Sequence, residues 1–412
     1  MLLASPKAVD SDRVTTDRLR IVDITDFYSD TVSGGVKTYL HAKARHLAEK
    51  GVDHAVIVPG EADGVEPMES GRLHRVKGPV LPFSKAYRLL LSARRVEEIL
   101  DEELPHVIEL GSPFVVPRLV RRALKRRRIP LVGFYHADLV RTFAEPYVPH
   151  RAAAPLRVAA RTMARRLIRS VYDPLDVTVA ASPSVADELR ALGVRRVRHI
   201  SLGVDLDTFM PDPPGGPLPP VERPEGDRRP IALYVGRFCA EKRLDVLIDG
   251  YARMDPEERP WLVLVGGGPL HEEMAERARH IAGLVLRDYV SDRETLARLY
   301  AGADFYVAAG PGETFGLSIG EALACGLPVV SVARGAGPDR VAGSGVSELY
   351  RHGDPGDCAR ALARMTARVG ENPADLRGRS REWAEATLDW RLTVDRLVGL
   401  YSELVAGAEA GG

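Results

Sequence analysis

Two basic residues and two glutamates carry the chemistry this chain could do. Arg237 follows the apolar run Ile231 to Val235, which reads as a strand, and Lys242 comes five residues later, where a helix through Tyr251 opens. That placement puts both cations on one rim of a cleft, where they could neutralise phosphate. Glu313 and Glu321 stand eight apart in GETFGLSIGEALACGLPVV, Gly312 to Val330. The apolar run Asp304 to Ala309 enters a Gly-Pro-Gly turn at Gly310 to Gly312, and a helical pattern begins near Gly316 or Leu317. The start of that helix, spanning Thr314, Phe315, Gly316 and Leu317, offers unpaired N–H groups and a partial positive charge to a phosphate. Carboxylates beside such a site must bind hydroxyls, because carboxylates facing phosphate directly would repel it. The combination suits a sugar nucleotide. Taken alone, two glutamates eight apart fit an ordinary amphipathic helix equally well.

The elements that must position these groups alternate between strand and helix. Leu19 to Ile24 reads as a strand leading through Asp26 to Thr31 into Ser33-Gly34-Gly35-Val36. A helical run to Lys50 and a strand at His54 to Pro59 complete a βαβ unit. Gly34 and Gly35 let backbone approach a ligand where a side chain would clash, though turn geometry alone also accounts for them. A helical run at Ser84 to Leu104, a strand at His106 to Leu110, a basic helix and a strand at Leu131 to Tyr135 follow, the last ending in His136-Ala137-Asp138. His136 occupies the place where open α/β sheets bind ligands; a buried histidine bonded to backbone is the rival reading. Ser182-Pro183-Ser184 caps a further helix after the strand Val177 to Ala181. Pro211 to Pro230 is too rich in Pro and Gly for a core element.

Beyond it, Trp261 to Val265 ends in Gly266-Gly267-Gly268-Pro269, a tight turn that misses the dinucleotide fingerprint. Val285 to Val290 reads as a strand, Ser291 to Arg293 leads into a helix, and Arg381 to Leu404 is a final helical run. The expected class is α/β, with two Rossmann-like doubly wound domains at 19–209 and 231–380. Residues 1–18 read as a disordered tail, 210–230 as the linker and 381–412 as a terminal helix.

A chain of 412 residues exceeds one ordinary core and agrees with two domains. No apolar run reaches the roughly 18 to 20 residues of a membrane helix, and the N-terminus lacks signal-peptide order, so a cytoplasmic protein is expected. Cys239, Cys325 and Cys358 lie far apart, which indicates neither a disulfide framework nor a zinc site. The formal charge of zero hides an asymmetry: Met1 to Asp205 carries 33 Lys and Arg against 25 Asp and Glu, and the remainder 24 against 32. Much of the basic excess lies in Arg118 to Arg128 and Arg151 to Arg169, both able to form helices. Such faces can dock on anionic lipid at the inner side of a membrane, while a solvated helix face is the commoner reading. With 6% aromatic residues and no aromatic-basic interleaving, nucleic acid is not an expected partner.

The glutamate-pair stretch, Gly236-Arg237 with Lys242, and the Gly34-Gly35 loop together resemble the family four glycosyltransferases, and the likeness runs from about Leu19 to Leu404. Tyr135-His136-Ala137-Asp138 and Gly111-Ser112-Pro113-Phe114 are similar to the mannosyl- and sulfoquinovosyl-type members. The resemblance implies the GT-B fold, two Rossmann-like domains facing across a cleft, with the terminal helix crossing back to brace the first. It implies a retaining hexosyltransferase, moving mannose from GDP-mannose or glucose from UDP-glucose to a glycan or lipid-linked acceptor. Arg237 and Lys242 then bind donor phosphate, His136 contacts the transferred sugar, Glu313 holds sugar hydroxyls and Glu321 the ribose. Gly34 and Gly35 lie near the pyrophosphate, Thr314 to Leu317 bind the donor, and the base lies against Tyr289, Val290 and Asp292. Asp205 and Asp207 resemble a structural turn of the family rather than a metal site. Retention by front-face substitution, with the leaving phosphate taking the acceptor proton, needs no metal and no cofactor. The rival functions are a sugar-nucleotide epimerase on the same architecture and a non-catalytic binding subunit; the intact set Arg237, Lys242, Glu313 and Glu321 disfavours the second.

Overall fold

The computed structural model describes residues 18–30, 34–69, 71–81, 84–113, 115–125, 127–136 and 154–410. Its first half holds strands β1 (Arg20–Ile24), β2 (Asp53–Gly60), β3 (Gly64–Met68), β4 (Gly71–Lys77), β5 (Val80–Leu81), β6 (Ser84–Arg88), β7 (Val107–Leu110), β8 (Leu131–Phe134), β9 (Val177–Ala180) and β10 (Val197–His199). The second half holds β11 (Ile231–Val235), β12 (Trp261–Val265), β13 (Leu284–Arg287), β14 (Phe305–Ala308), β15 (Val329–Val332) and β16 (Ser347–Tyr350). Helices α1 (Gly35–Glu49), α2 (Ala93–Glu103), α3 (Val116–Leu124), α4 (Ala154–Tyr172) and α5 (Pro183–Ala191) belong to the first half. They are followed by α6 (Leu244–Ala252), α7 (His271–His280), α8 (Arg293–Ala301), α9 (Leu317–Ala324), α10 (Ala336–Val341), α11 (Pro355–Glu371), α12 (Pro373–Thr387) and α13 (Trp390–Ala410).

Strands that read as unbroken apolar runs pair in parallel and are covered on both faces. The first sheet runs β10-β9-β8-β7-β1-β2-β4-β3, with β3 antiparallel, and the second runs β13-β12-β11-β14-β15-β16. Each sheet grows outward from its first strand in one direction and then resumes on that strand's other side. The switch points lie between β1 and β7 and between β11 and β14, where open α/β sheets form their ligand crevices. Helices α2 to α5 pack one face of the first sheet, and α1 with α13 packs the other.

Several elements differ from the sequence reading. The run Ser84 to Leu104 is a strand followed by a helix, because Ser92 accepts from the Arg95 amide at 3.3 Å and starts α2 only there. The expected strand Val285 to Val290 ends at Arg287, and Asp292 caps α8 with its carboxylate on the Thr295 amide at 2.8 Å. The final helical run is two helices. Its break at Leu388–Asp389 is made by the Val204 amide donating to the Leu388 carbonyl at 2.7 Å, while Asp389 accepts from the Arg391 amide at 2.7 Å. Gly203 is required there, since a Cβ would lie 2.5 Å from the Trp390 backbone. Residues 211–230 form neither helix nor strand, but they are not loose: Arg298 donates to the carbonyls of Gly215 and Gly216.

A charged cluster is buried where α1 and α13 meet the first sheet. Lys43, with no exposed surface, lies 2.8 Å from Asp23 and 3.3 Å from Glu109, and it donates to the Tyr401 hydroxyl. Burial would raise both carboxyls, but Lys43 and His54 hold Asp23 below the usual range, whereas burial pushes Glu109 up to about 7 against the pull of Lys43. One cation is thus balanced by one ionised carboxylate. Because the folded Glu109 keeps its proton above the ordinary value of 4.5, the native state binds the extra proton. This contribution to stability is full below that ordinary value and is lost as pH rises through about 7. Glu109→Gln stays neutral and should remove the loss. Relative to it, the wild type should become less stable by on the order of 2 kcal/mol between acid and neutral pH in denaturant titrations, and parallel curves for the two proteins would sink this assignment.

Candidate active site

The second sheet's switch point brings the first pair of candidate residues together. Lys242 ends a 3-10 turn, Ala240–Lys242, after β11, and Glu313 lies in the turn after β14. Their side chains form an ion pair, each about one-fifth exposed. Burial would lower the Lys242 pKa, but the Glu313 carboxylate raises it instead, so the ammonium stays charged. An ammonium has three N–H donors, so this pairing leaves two to face a ligand. A Cβ on Gly310 would come within 3.0 Å of Lys242 Cδ and 3.3 Å of Glu313 Oε1. The Gly-Pro-Gly turn therefore clears space for the pair.

Arg237 leaves the same β11 end, is exposed, and makes no side-chain hydrogen bond or ion pair among the described residues. Its loop is held by the triple glycine that the sequence marks only as a tight turn. The Phe238 amide donates to the Gly267 carbonyl at 2.8 Å, and a Cβ on Gly266 would lie 2.0 Å from the Gly236 carbonyl oxygen. Those glycines let two loops touch, and thereby aim Arg237.

The glutamate turn also meets the first domain. The Thr314 hydroxyl donates to the His136 carbonyl at 3.0 Å, and the Phe315 ring lies edge-on to the His136 ring at 5.5 Å. Phe315 and Leu317 come within 3.4 Å of where a Cβ on Gly35 would be, and Gly34 caps α1 in extended backbone. The N-termini of α1 and α9 thus converge. Gly316, at φ +63°, takes the left-handed conformation that lets α9 begin at Leu317. His136 is buried, stacked on Phe134 at 4.4 Å and set against Tyr39 at 5.3 Å. Burial pushes its pKa down to about 3, and its Nδ1 has no partner among the described residues. A neutral ring with an open nitrogen suits a hydroxyl rather than a phosphate.

The remaining candidates are dispersed around this centre. Glu321 lies more than one turn into α9, accepts from the Tyr300 hydroxyl at 3.4 Å and sits 3.8 Å from Arg293. Burial raises its pKa, with Arg293 opposing. Arg293 escaped the sequence reading, although it adjoins the segment assigned to the base. Tyr289 is exposed and its Cβ is 3.9 Å from where one on Gly267 would be; Val290 is half-buried. Asp292 is exposed and caps α8 through one carboxylate oxygen on the Thr295 amide. Asp205 caps its own turn by accepting from the Thr208 amide at 3.1 Å and hydroxyl at 2.9 Å. Asp138 and Phe114 lie outside the described residues. A cavity of about 290 Å³ opens between α1, residues 204–207 and the start of α13. Arg293 lines it and links it to Glu321, but Lys242 and Glu313 do not.

Models of two families match the chain: Glycosyltransferase Family 4 over residues 33–208 and Glycosyl transferases group 1 over 229–368. A GDP-mannose-dependent alpha-mannosyltransferase of Corynebacterium glutamicum is 30% identical over 337 residues, 80% of this chain and 76% of that one. The chain belongs to glycosyltransferase family 4. A GDP-mannose-dependent alpha-(1-6)-phosphatidylinositol dimannoside mannosyltransferase of Mycobacterium tuberculosis is 27% identical over 406 residues, 95% of this glycosyltransferase and 98% of the relative. The sucrose-phosphate synthase of Thermosynechococcus elongatus superimposes with a TM-score of 0.70 at 21% identity, over 94% of this chain and all of that one. The glycosyltransferase therefore has the GT-B fold.

If Lys242 meets the developing phosphate charge in this glycosyltransferase, Lys242→Ala should reduce kcat/KM by the equivalent of about 2 to 4 kcal/mol. Its thermal midpoint should change little, since the pair is partly exposed. A variant within a few-fold of wild type would refute the role.

Proposed function

We propose that this glycosyltransferase moves mannose from GDP-mannose to a glycan or lipid-linked acceptor with retention of configuration. The observation that carries this reading is the Lys242–Glu313 pair at the β11/β14 crevice, whose Glu313 lies on the same turn as Thr314 and Phe315, which contact His136 of the first domain. The relatives named above, whose own donor is GDP-mannose, support the choice of donor. The second relative's phosphatidylinositol dimannoside supports a lipid-linked acceptor.

On this reading the bond from the anomeric carbon to the diphosphate oxygen breaks first. Arg237, Lys242 and the amides at the start of α9 take up the charge that develops on the leaving group. The acceptor hydroxyl adds to the same face of the sugar, and its proton passes to a leaving phosphate oxygen. Glu313 and neutral His136 hold sugar hydroxyls, Glu321 with Arg293 holds the ribose, and Gly34-Gly35 lets the α1 backbone approach the diphosphate. No step needs a metal or a resident cofactor. Donor identity is checked by thermal shift against GDP- and UDP-sugars in excess chelator, with the product anomer read by NMR. GDP-mannose should raise the midpoint most and the axial linkage should persist. A requirement for magnesium, inversion, or interconversion of sugar nucleotides without acceptor overturns the reading.

The acceptor side fits an anionic membrane at its inner face. On α4, Val158, Met163 and Leu167 are 63%, 72% and 40% exposed, and Arg165, Arg166 and Arg169 are exposed among them. Helix α3 lies on the same face of the sheet and adds exposed Arg118, Arg121, Arg122 and Lys125. Exposed apolar side chains interspersed with arginine along the helix match a headgroup boundary. Binding to phosphatidylglycerol-containing vesicles should fall steeply with salt and weaken in Met163→Glu; salt-insensitive binding, or none, removes this part of the proposal.

A further inference from the structure

A second arginine is built into the wall behind the candidate phosphate site. Arg340, on α10, is 6% exposed and has no carboxylate in contact among the described residues. Its neighbour Asp339 turns instead to the first domain and accepts from the Ser184 amide at the start of α5, at 3.0 Å. The guanidinium spends its donors on two carbonyls from different domains. Nε donates to Phe315 at 2.6 Å, and Nη1 donates to Leu202 at 2.8 Å. Nη2 is buried without a partner among the described residues. The Arg340 backbone is fixed in turn, because Trp383 Nε1 donates to its carbonyl at 2.9 Å.

Burying a cation without a counterion is unfavourable, and burial accordingly pulls this arginine's pKa down to about 10, with Asp339 opposing. It nonetheless remains charged at neutral pH. A packing role alone would be met by an apolar side chain of similar length, so the charge calls for a separate account. The peptide bond is planar, so a pinned Phe315 carbonyl also pins the Gly316 N–H on its opposite side. A cation on the carbonyl also polarises the peptide and strengthens that N–H as a donor. The arginine stem lies 3.3 Å from where a Cβ on Gly316 would be, which leaves the glycine little room to shift.

We propose that Arg340 is a positioning residue that sets the Phe315–Gly316 peptide toward the departing diphosphate, and that its bond to Leu202 ties this setting to contact between the two domains. The donor-phosphate amides are therefore in register only while the first domain is docked. This rests on the assignment of the donor diphosphate to the start of α9.

The test measures Arg340→Met, Arg340→Lys and Lys242→Ala side by side, using thermal melts, calorimetric GDP binding, kcat and KM for GDP-mannose, and small-angle scattering. Arg340→Met should lower kcat by about 100-fold while KM changes by about threefold or less. It should also have a larger radius of gyration than wild type in the presence of GDP. Arg340→Lys keeps the charge but not the two-nitrogen fork, and should recover part of the lost kcat. A folded Arg340→Met with kcat within about threefold of wild type overturns the proposal. An unchanged radius with kcat lost removes the link to domain contact. Should Arg340→Met fail to melt cooperatively, Arg340→Lys decides, and wild-type kcat in that variant is an overturning result. If Lys242→Ala is also fully active and binds GDP normally, the phosphate assignment itself has failed, a result distinguishable from failure at Arg340 alone.

Discussion

Parallel pairing of β11 with β14 is the constraint from which the site follows. The two strands lie side by side, with Ala232 opposite Phe305 and Leu233 opposite Tyr306. Their C-terminal ends therefore open at the same place, although 71 positions separate Lys242 from Glu313. A cation leaving one strand and a carboxylate leaving its neighbour must then meet, and the pairing holds both in a fixed geometry. This also resolves the apparent conflict of a carboxylate near a phosphate site. Glu313 is bound on one side by the ammonium, so its field is partly cancelled toward the phosphate while its other oxygen can accept hydroxyls.

The first sheet supplies the opposite wall by the same geometry. Its switch point lies between β1 and β7, and the chain leaving β1 reaches Gly34 and Gly35 while the chain leaving β8, beside β7, reaches His136. On the turn after β14 the two walls touch through Thr314 on the His136 carbonyl, Phe315 on the His136 ring, and Phe315 with Leu317 on Gly35, and α10 adds Asp339 on the Ser184 amide and Arg340 on the Leu202 carbonyl. Each contact is small. Movement of one domain against the other would still disturb every group the turn carries, because a loop this short cannot absorb displacement without shifting its amides.

The readable parts of this arrangement were those written in local sequence. The run from Asp304 through the Gly-Pro-Gly turn to Ala324 specifies a strand, a turn and a helix within about 20 residues, and the helix does start at Leu317. His136 and Lys242 were visible because each follows an apolar strand. The antiparallel β3–β4 pair and the β5–β6 hairpin were missed, since strands such as Gly64–Met68 are exposed and lack a clear alternation. Arg340 gave no signal at all. Its acceptors lie 25 and 138 positions away in the chain, and nothing around it in sequence distinguishes a buried bridging arginine from a solvated one. The triple glycine was legible as a turn but not as the support of Arg237, because the clash it avoids is with a loop about 30 residues earlier, a relation that no local pattern encodes.

Lys43 and Arg340, two of the buried cations among the described residues, clarify each other. Lys43 is enclosed with Asp23 and Glu109 and tied through Tyr401 to α13, so its charge is neutralised on the spot and serves to join the first sheet to the helix that returns to it. Arg340 is also buried, but among the described residues its guanidinium donates to carbonyl dipoles alone. A neutralised cluster adds little field beyond its own boundary, whereas an uncompensated guanidinium projects one. The first arrangement is what a rigid scaffold requires. The second fits the proposed assignment of the donor diphosphate to the start of α9, where Arg340 holds the Phe315 carbonyl from behind.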